Sequence, residues 1–245
     1  MGKLIKAEFL KLSKLRSYKI LLLFVIGMGL LMGYSLVNTP PPVLPVGFNV
    51  QNGFYIYMSI LSEADTLMFF SLVFVALFVC TEFSNRTFSI SLFSGCPRWS
   101  VLLAKIIVFL AGLMPIVFAA PIMASFAGSI SLGLGNADAQ MVGTLIQTTL
   151  LSTLSGAAMG GFCFMMAVLI KNIAGTIGAG IGIVVGMEMP QMVFGTAYPV
   201  KWTFVYQMEE LLQLESIGMF LVVTVTTLMV TLGISIIAFQ KAELK

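Results

Sequence analysis

Six stretches of the chain run apolar for most of a helix's length, and charges or helix breakers close each one. They cover roughly residues 20–37, 66–81, 101–127, 141–170, 173–189 and 217–239. A helix rises about 1.5 Å per residue and the hydrocarbon layer is about 30 Å thick, so runs of this length suit a membrane crossing. The first stops at Asn38-Thr39-Pro40-Pro41-Pro42, the fourth at Lys171-Asn172 and the fifth at Pro190. The third holds Pro115 and Pro121, which are expected to kink it. A backbone in lipid must satisfy its own hydrogen bonds, so the pattern predicts an all-α, polytopic membrane protein with six spans in one domain.

The connecting segments carry their own pattern. Over residues 1–19, Lys3, Lys6, Lys11 and Lys14 fall on one side of a helix, and Leu4, Ile5, Phe9, Leu12 and Leu15 on the other. That predicts an amphipathic helix resting on a lipid surface rather than a secretory signal, for which the basic region is long. Glu8 breaks the apolar side, so it is expected to pair with Lys11 or to face a protein partner. The loop after the first span has no Lys or Arg and carries Phe48, Phe54, Tyr55 and Tyr57, suited to a membrane interface. Residues 203–214 read as a short amphipathic helix between the last two spans.

Composition agrees with the pattern. Of 245 residues, 59% are hydrophobic and 9% charged, where a soluble domain carries about 25% charged residues. With six spans, every Lys and Arg except Lys201 falls on one side, twelve of the thirteen. Seven of the ten acids fall on the other. By the positive-inside rule the basic side is cytoplasmic, which places both termini there, in a multi-pass protein of a membrane that borders the cytoplasm.

Candidate chemistry is sparse. Histidine is absent, and Cys80, Cys96 and Cys163 have no metal-ligand spacing, so packed, reduced thiols are expected and no metal site. No phosphate-binding glycine loop with its lysine occurs, so the chain is expected to bind no nucleotide of its own and to be no enzyme. No acid lies near a span centre, which argues against an ion relay. Asn85-Arg86-Thr87 fits a glycosylation acceptor but lies on the basic side. Glycines recur four apart at Gly29 and Gly33, at Gly156 and Gly160, and at Gly178, Gly182 and Gly186. Such rows let helices approach closely, within one chain or between subunits.

The segment 82–100 is the most informative. An acid, Glu82, leaves the membrane, a short mixed helix follows, Gly95 and Pro97 turn the chain, and Arg98 opens the next span. It reads as a connecting hairpin or as a rigid element able to take force from a partner. Glu82, Arg86, Thr87, Pro97, Arg98, Leu103 and Lys105 stand in the order typical of permease subunits of ABC-2-type ABC exporters, which this chain resembles. The basic helix before the first span, the six spans and the Phe239-x-Lys241-x-Glu243-Leu244 tail extend the resemblance over the whole chain. Ser91 departs from it, where a basic residue is common. The resemblance implies a permease that pairs with itself or a similar permease and meets a separate ATPase subunit, which holds ATP and magnesium. Glu82, Arg86, Thr87, Pro97, Arg98 and Lys105 would then couple the ATPase to the spans. The small size resembles bacterial permeases for antimicrobial-peptide export or lantibiotic immunity. A drug, lipid or ion exporter, and a non-transporting scaffold or sensor, remain open at this point, and nothing suggests nucleic acid.

Overall fold

A computed structural model of the chain describes residues 2–38, 52–85, 97–135, 139–194, 206 and 217–241; of residues 64, 65, 139–141, 184, 187, 188 and 190–194 it describes the backbone alone. The described residues form helices and no strand. They are α1 (Gly2–Lys14), α2 (Arg16–Asn38), α3 (Gly53–Leu61), α4 (Ala64–Val75), a π turn (Ala76–Cys80), α5 (Thr81–Ser84), α6 (Arg98–Leu132), α7 (Ala139–Ile170), α8 (Ile173–Phe194) and α9 (Ile217–Lys241).

Five helical stretches are long and apolar enough to cross a membrane: Arg16–Asn38, Thr66–Ser84, Arg98–Leu132, Val142–Ile170 and Ile217–Lys241. The remaining predicted span is α8, helical over 22 residues with a shorter apolar part at Ile173–Ile183. Apolar side chains such as Leu23, Leu31, Ile130, Leu150 and Met229 project outward from these helices. In water such a surface would be unstable, whereas in a bilayer it is the expected one. The protein is thus an all-helical, multi-pass membrane protein.

Burial divides the spans. Between 61 and 67% of the window is buried in the second, third and fourth stretches, against 22% in α2 and 28% in α9. The middle three therefore form the centre, and α2 and α9 flank it. Phe74 of α4 lies at its heart, with ring centroids 5.1 Å from Tyr18, 5.7 Å from Phe78 and 5.1 Å from Phe109. Such ring pairs contribute beyond the area they bury.

Glycine sets the α2–α6 distance. A Cβ on Gly29 would strike the backbone of Ala120, and one on Gly33 the backbone of Ala124. Gly156 lies over Val117, and Gly160 over Leu113 and Phe109, so that row packs α7 on α6. The third row differs. No described atom comes within 4 Å of where a side chain would start at Gly178, Gly182 or Gly186. On the other side of α8, Gly180 meets Leu72 instead.

α6 runs helically through both Pro115 and Pro121. In the turn that Pro115 interrupts, the Tyr18 hydroxyl donates to the Gly112 carbonyl at 2.9 Å. Tyr55, Ile56 and Met58, in the loop expected at the interface, are buried in α3 against the far part of α6. Asn52 caps α3 by accepting from the Tyr55 amide at 2.9 Å. Gly53 donates to the Gly133 carbonyl at 3.0 Å and its own carbonyl accepts from Ser125 at 2.7 Å.

α7 and α9 pack with hydroxyl groups between apolar contacts. Leu151 meets Phe220, and Gly161 lies beside Thr231. The buried hydroxyls of Thr148, Ser152, Thr231 and Ser235 each donate to a carbonyl of their own helix, at 2.7 to 3.0 Å.

Candidate functional site

The lysines of α1 point two ways. Lys3, Lys6 and Lys14 are exposed, and Lys11 turns toward the bundle. Leu12 is buried beside Gly112 and Phe74. Phe9 and Leu10 stay exposed. The amphipathic helix therefore does not rest on lipid alone: it is docked on the bundle through the side carrying Glu8 and Leu12.

Glu8 is the centre of that docking. One carboxylate oxygen accepts from Lys11 at 2.5 Å and the other from Lys105 at 2.9 Å. Lys105 also reaches Glu82 at 2.6 Å, and Lys11 approaches the second oxygen of Glu82 at 3.4 Å. Two acids and two bases thus form a closed, neutral ring joining α1, α5 and the first turns of α6. Its inner member, Lys105, is 1% exposed, with its ammonium 4.5 Å from the centre of the Phe78 ring. A buried charge is tolerated only when paired and hydrogen-bonded. Among the described residues no buried side-chain nitrogen or oxygen lacks a partner.

The ring shifts its outer members. Burial by itself would raise the Glu8 carboxyl, but Lys105 and Lys11 outweigh it and hold Glu8 below the usual carboxylate value. Burial would lower Lys11, yet Glu8 and Glu82 raise it above the ordinary lysine value. Both shifts favour the charged forms.

The π turn helps to aim Glu82. A turn closed by i→i+5 bonds carries one more residue than an α turn, which rotates everything after it by about 100°. Glu82 follows this turn directly, at the start of α5. Within the turn, the Cys80 sulfur lies 3.2 Å from the Thr176 hydroxyl, fixing the end of α4 against α8.

Other candidate residues gather at the same end. Arg98 donates to the carbonyl of Gln240 at 3.0 Å, pinning the start of α6 to the end of α9. Pro97 is exposed and precedes α6 in extended conformation. Lys171 adopts a left-handed φ of 58° that ends α7, Asn172 caps α8, and the Lys171 ammonium lies 6.0 Å from the Phe83 ring. Phe83 in turn meets Phe239.

Glu82 is held by Lys105 and Lys11. Lys105 is too buried to touch another subunit, so any part it plays in coupling passes through Glu8 and Glu82. Arg86, Thr87 and Ser91 lie outside the described residues, as do Cys96 and most of the 203–214 helix expectation. Cys80 and Cys163 are buried free thiols. Sequence reasoning missed the Glu8–Lys105 pair. The signal available was an acid on the apolar face of α1 and a lysine inside a span.

No family model matches the chain and no curated protein matches it.

Proposed function

We propose that this chain is the membrane-embedded permease subunit of an ABC exporter of the ABC-2 type, driven by a separate ATPase chain. The observation that carries the reading is the ring of Glu8, Lys11, Glu82 and Lys105. It ties a surface helix, the end of the second span and the start of the third into one unit at a single end of the bundle. A push on the segment 86–96 would pass directly into Glu82 and Arg98, which flank it, and so into α1, α6 and α9. ATP and magnesium would sit on the partner, since the 82–100 segment is far shorter than the roughly 40 residues that even a marginal domain needs.

In this reading six helices cross the membrane, α8 included, with both termini in the cytoplasm of a bacterium. Two permeases, identical or similar, form the pathway. The cargo is hydrophobic or amphipathic, of the antimicrobial-peptide kind, which needs no charged relay along the spans. Glu82 and Arg98 serve as positioning residues at the coupling segment, with Arg86, Thr87 and Pro97 beside them.

The test is to purify the chain from its native host under mild detergent and identify what accompanies it. An ATPase subunit with a phosphate-binding loop is expected, with hydrolysis appearing only in the complex. Glu82→Ala or Arg98→Ala should keep the ATPase bound while separating hydrolysis from export. A chain that captures no ATPase, or that hydrolyses ATP alone with contaminants excluded by mass spectrometry, overturns the assignment.

A further inference from the structure

At the end of the bundle away from the charge ring, α3, α6 and α7 leave a side cleft of about 440 Å³. Its walls are Phe54, Ile122, Leu145, Ile146 and Leu150, with Ser125 and the paired hydroxyls of Tyr57 and Thr149 between them. The Ser125 hydroxyl is committed to the Gly53 carbonyl. Tyr57 and Thr149 lie 3.3 Å apart, oxygen to oxygen. We infer that this cleft binds one glycerophospholipid of the surrounding bilayer, an acyl chain lying in the apolar trough and an ester carbonyl accepting from the Tyr57–Thr149 pair.

Three observations fix the occupant. The first is the surface that the cleft continues. Ile122, Ile146 and Leu150 are each more than half exposed, and they belong to helices that cross the membrane. The trough therefore opens sideways onto hydrocarbon, and acyl chains are what stand at its mouth. An apolar hollow excludes water and accepts apolar groups. Its volume is about three times the ~150 Å³ that encloses a benzene ring, enough for most of an acyl chain.

The second is depth. Thr149 precedes the last residue of α7, Ile170, by twenty-one positions, or about 32 Å of helix. The near end is marked by Lys171, so Thr149 lies about one hydrocarbon thickness away. That is the level of the glycerol esters on the far side, where acyl chains end and carbonyl oxygens begin.

The third is the state of the hydroxyls. One donates to the other, and among the described residues neither makes a second bond. The pair therefore retains one hydroxyl proton. Phospholipid esters supply acceptors at this depth and no donor, which matches a site with a proton to give. The inference needs the membrane but not the ATPase, so it stands or falls apart from the proposed function.

The experiment uses the full chain in vesicles of dioleoylphosphatidylcholine doped with the same lipid bearing a diazirine near the ester end of one acyl chain. Labelled residues are located by peptide mass spectrometry, and Met229 and Ile237, exposed on α9, serve as the reference for ordinary lipid contact. Labelling is expected to concentrate on residues 122–126 and 145–150. It should fall about five-fold at these positions alone in Leu150→Trp, which fills the trough. An ether-linked version of the probe, without ester carbonyls, should lose a similar factor, the worth of one hydrogen bond, on the unaltered protein. Tyr57→Phe combined with Thr149→Val should erase the preference for ester over ether. Labelling equal to that of α9, an ester and an ether probe that label alike, or no label because a second copy or another segment covers the cleft, would each overturn the inference.

Discussion

Replacing Lys105 by methionine keeps most of the side chain's length and removes its charge. The ring then holds Glu8 and Glu82 against Lys11 alone, a net charge of −1 in place of zero. Lys11 cannot make up the loss: its side chain is 41% exposed and it lies 3.4 Å from Glu82, where solvent screens the attraction. Removing one partner from a buried ion pair costs about 3–5 kcal/mol, chiefly because the other charge is stranded. The cheapest relief is for α1 to detach and carry Glu8 into water. Its detached population should therefore rise by about 10²–10⁴-fold. Leu12, buried beneath α1 at 4% exposure, is the reporter. In a chain whose three native cysteines are replaced, Leu12→Cys should react with a water-soluble thiol reagent correspondingly faster once Lys105→Met is added. Adding Glu82→Gln restores neutrality, with Glu8 facing Lys11, and should recover at least about ten-fold of the protection. If Lys105→Met leaves the rate within about two-fold of its parent, or if Glu82→Gln speeds it further, the ring does not hold α1.

The same reporter should respond to pH. Glu8 titrates lower in the folded protein than its ordinary 4.5, so its contribution is full above that value and is lost as pH falls through the depressed folded value. Lys11 titrates above its ordinary 10.5, so its contribution is full below that and is lost at still higher pH. Measured relative to the exposed reference Ser13→Cys, which removes the rise in thiolate fraction with pH, Leu12→Cys should stay protected across the neutral range, and a relative reactivity that climbs between pH 6 and 8 would contradict the pairing. Gly33→Ala places a methyl group against the Ala124 backbone and should destabilise by about 1–3 kcal/mol in detergent unfolding, while Gly178→Ala should stay within about 0.5 kcal/mol; equal effects would refute the assignment of the α2–α6 seam. A membrane-impermeant reagent should reach Asn85→Cys and Leu134→Cys from opposite faces of sealed vesicles, and labelling from one face would break the topology.

Five of the spans were legible because lipid imposes a crude demand, a long apolar run, that hydropathy alone can read. Helix ends were less so. α6 reaches from Arg98 to Leu132, well beyond the expected 101–127, because polar residues at an interface continue a helix without altering the apolar count. α3 was read as interfacial loop because nine residues are too few for a span and its aromatics suit an interface equally well. Its burial depends on the tie between Gly53 and Gly133, far away in sequence. The site was half legible. Glu8 and Glu82 stood out as acids where acids are costly, but the partner of both was Lys105, whose direction depends on helix rotation. Glu82 in turn is aimed by the π turn, and no residue between Ala76 and Cys80 announces it.

The hydroxyls shared between α7 and α9 bear on how the protein is made. Thr148 and Ser152, like Thr231 and Ser235, are satisfied inside their own helices. Each helix can therefore enter the bilayer alone with no polar debt left for its neighbour to settle. Residues 171–216 separate the end of α7 from the start of α9, and the later helix need not wait for the earlier one to be in position. Pairing becomes a matter of shape, with Gly161 receiving Thr231 and Leu151 meeting Phe220. α1 is the opposite case: without Lys105 already in place, Glu8 has no interior to occupy, so α1, made before the helix that carries Lys105, is among the last to find its seat.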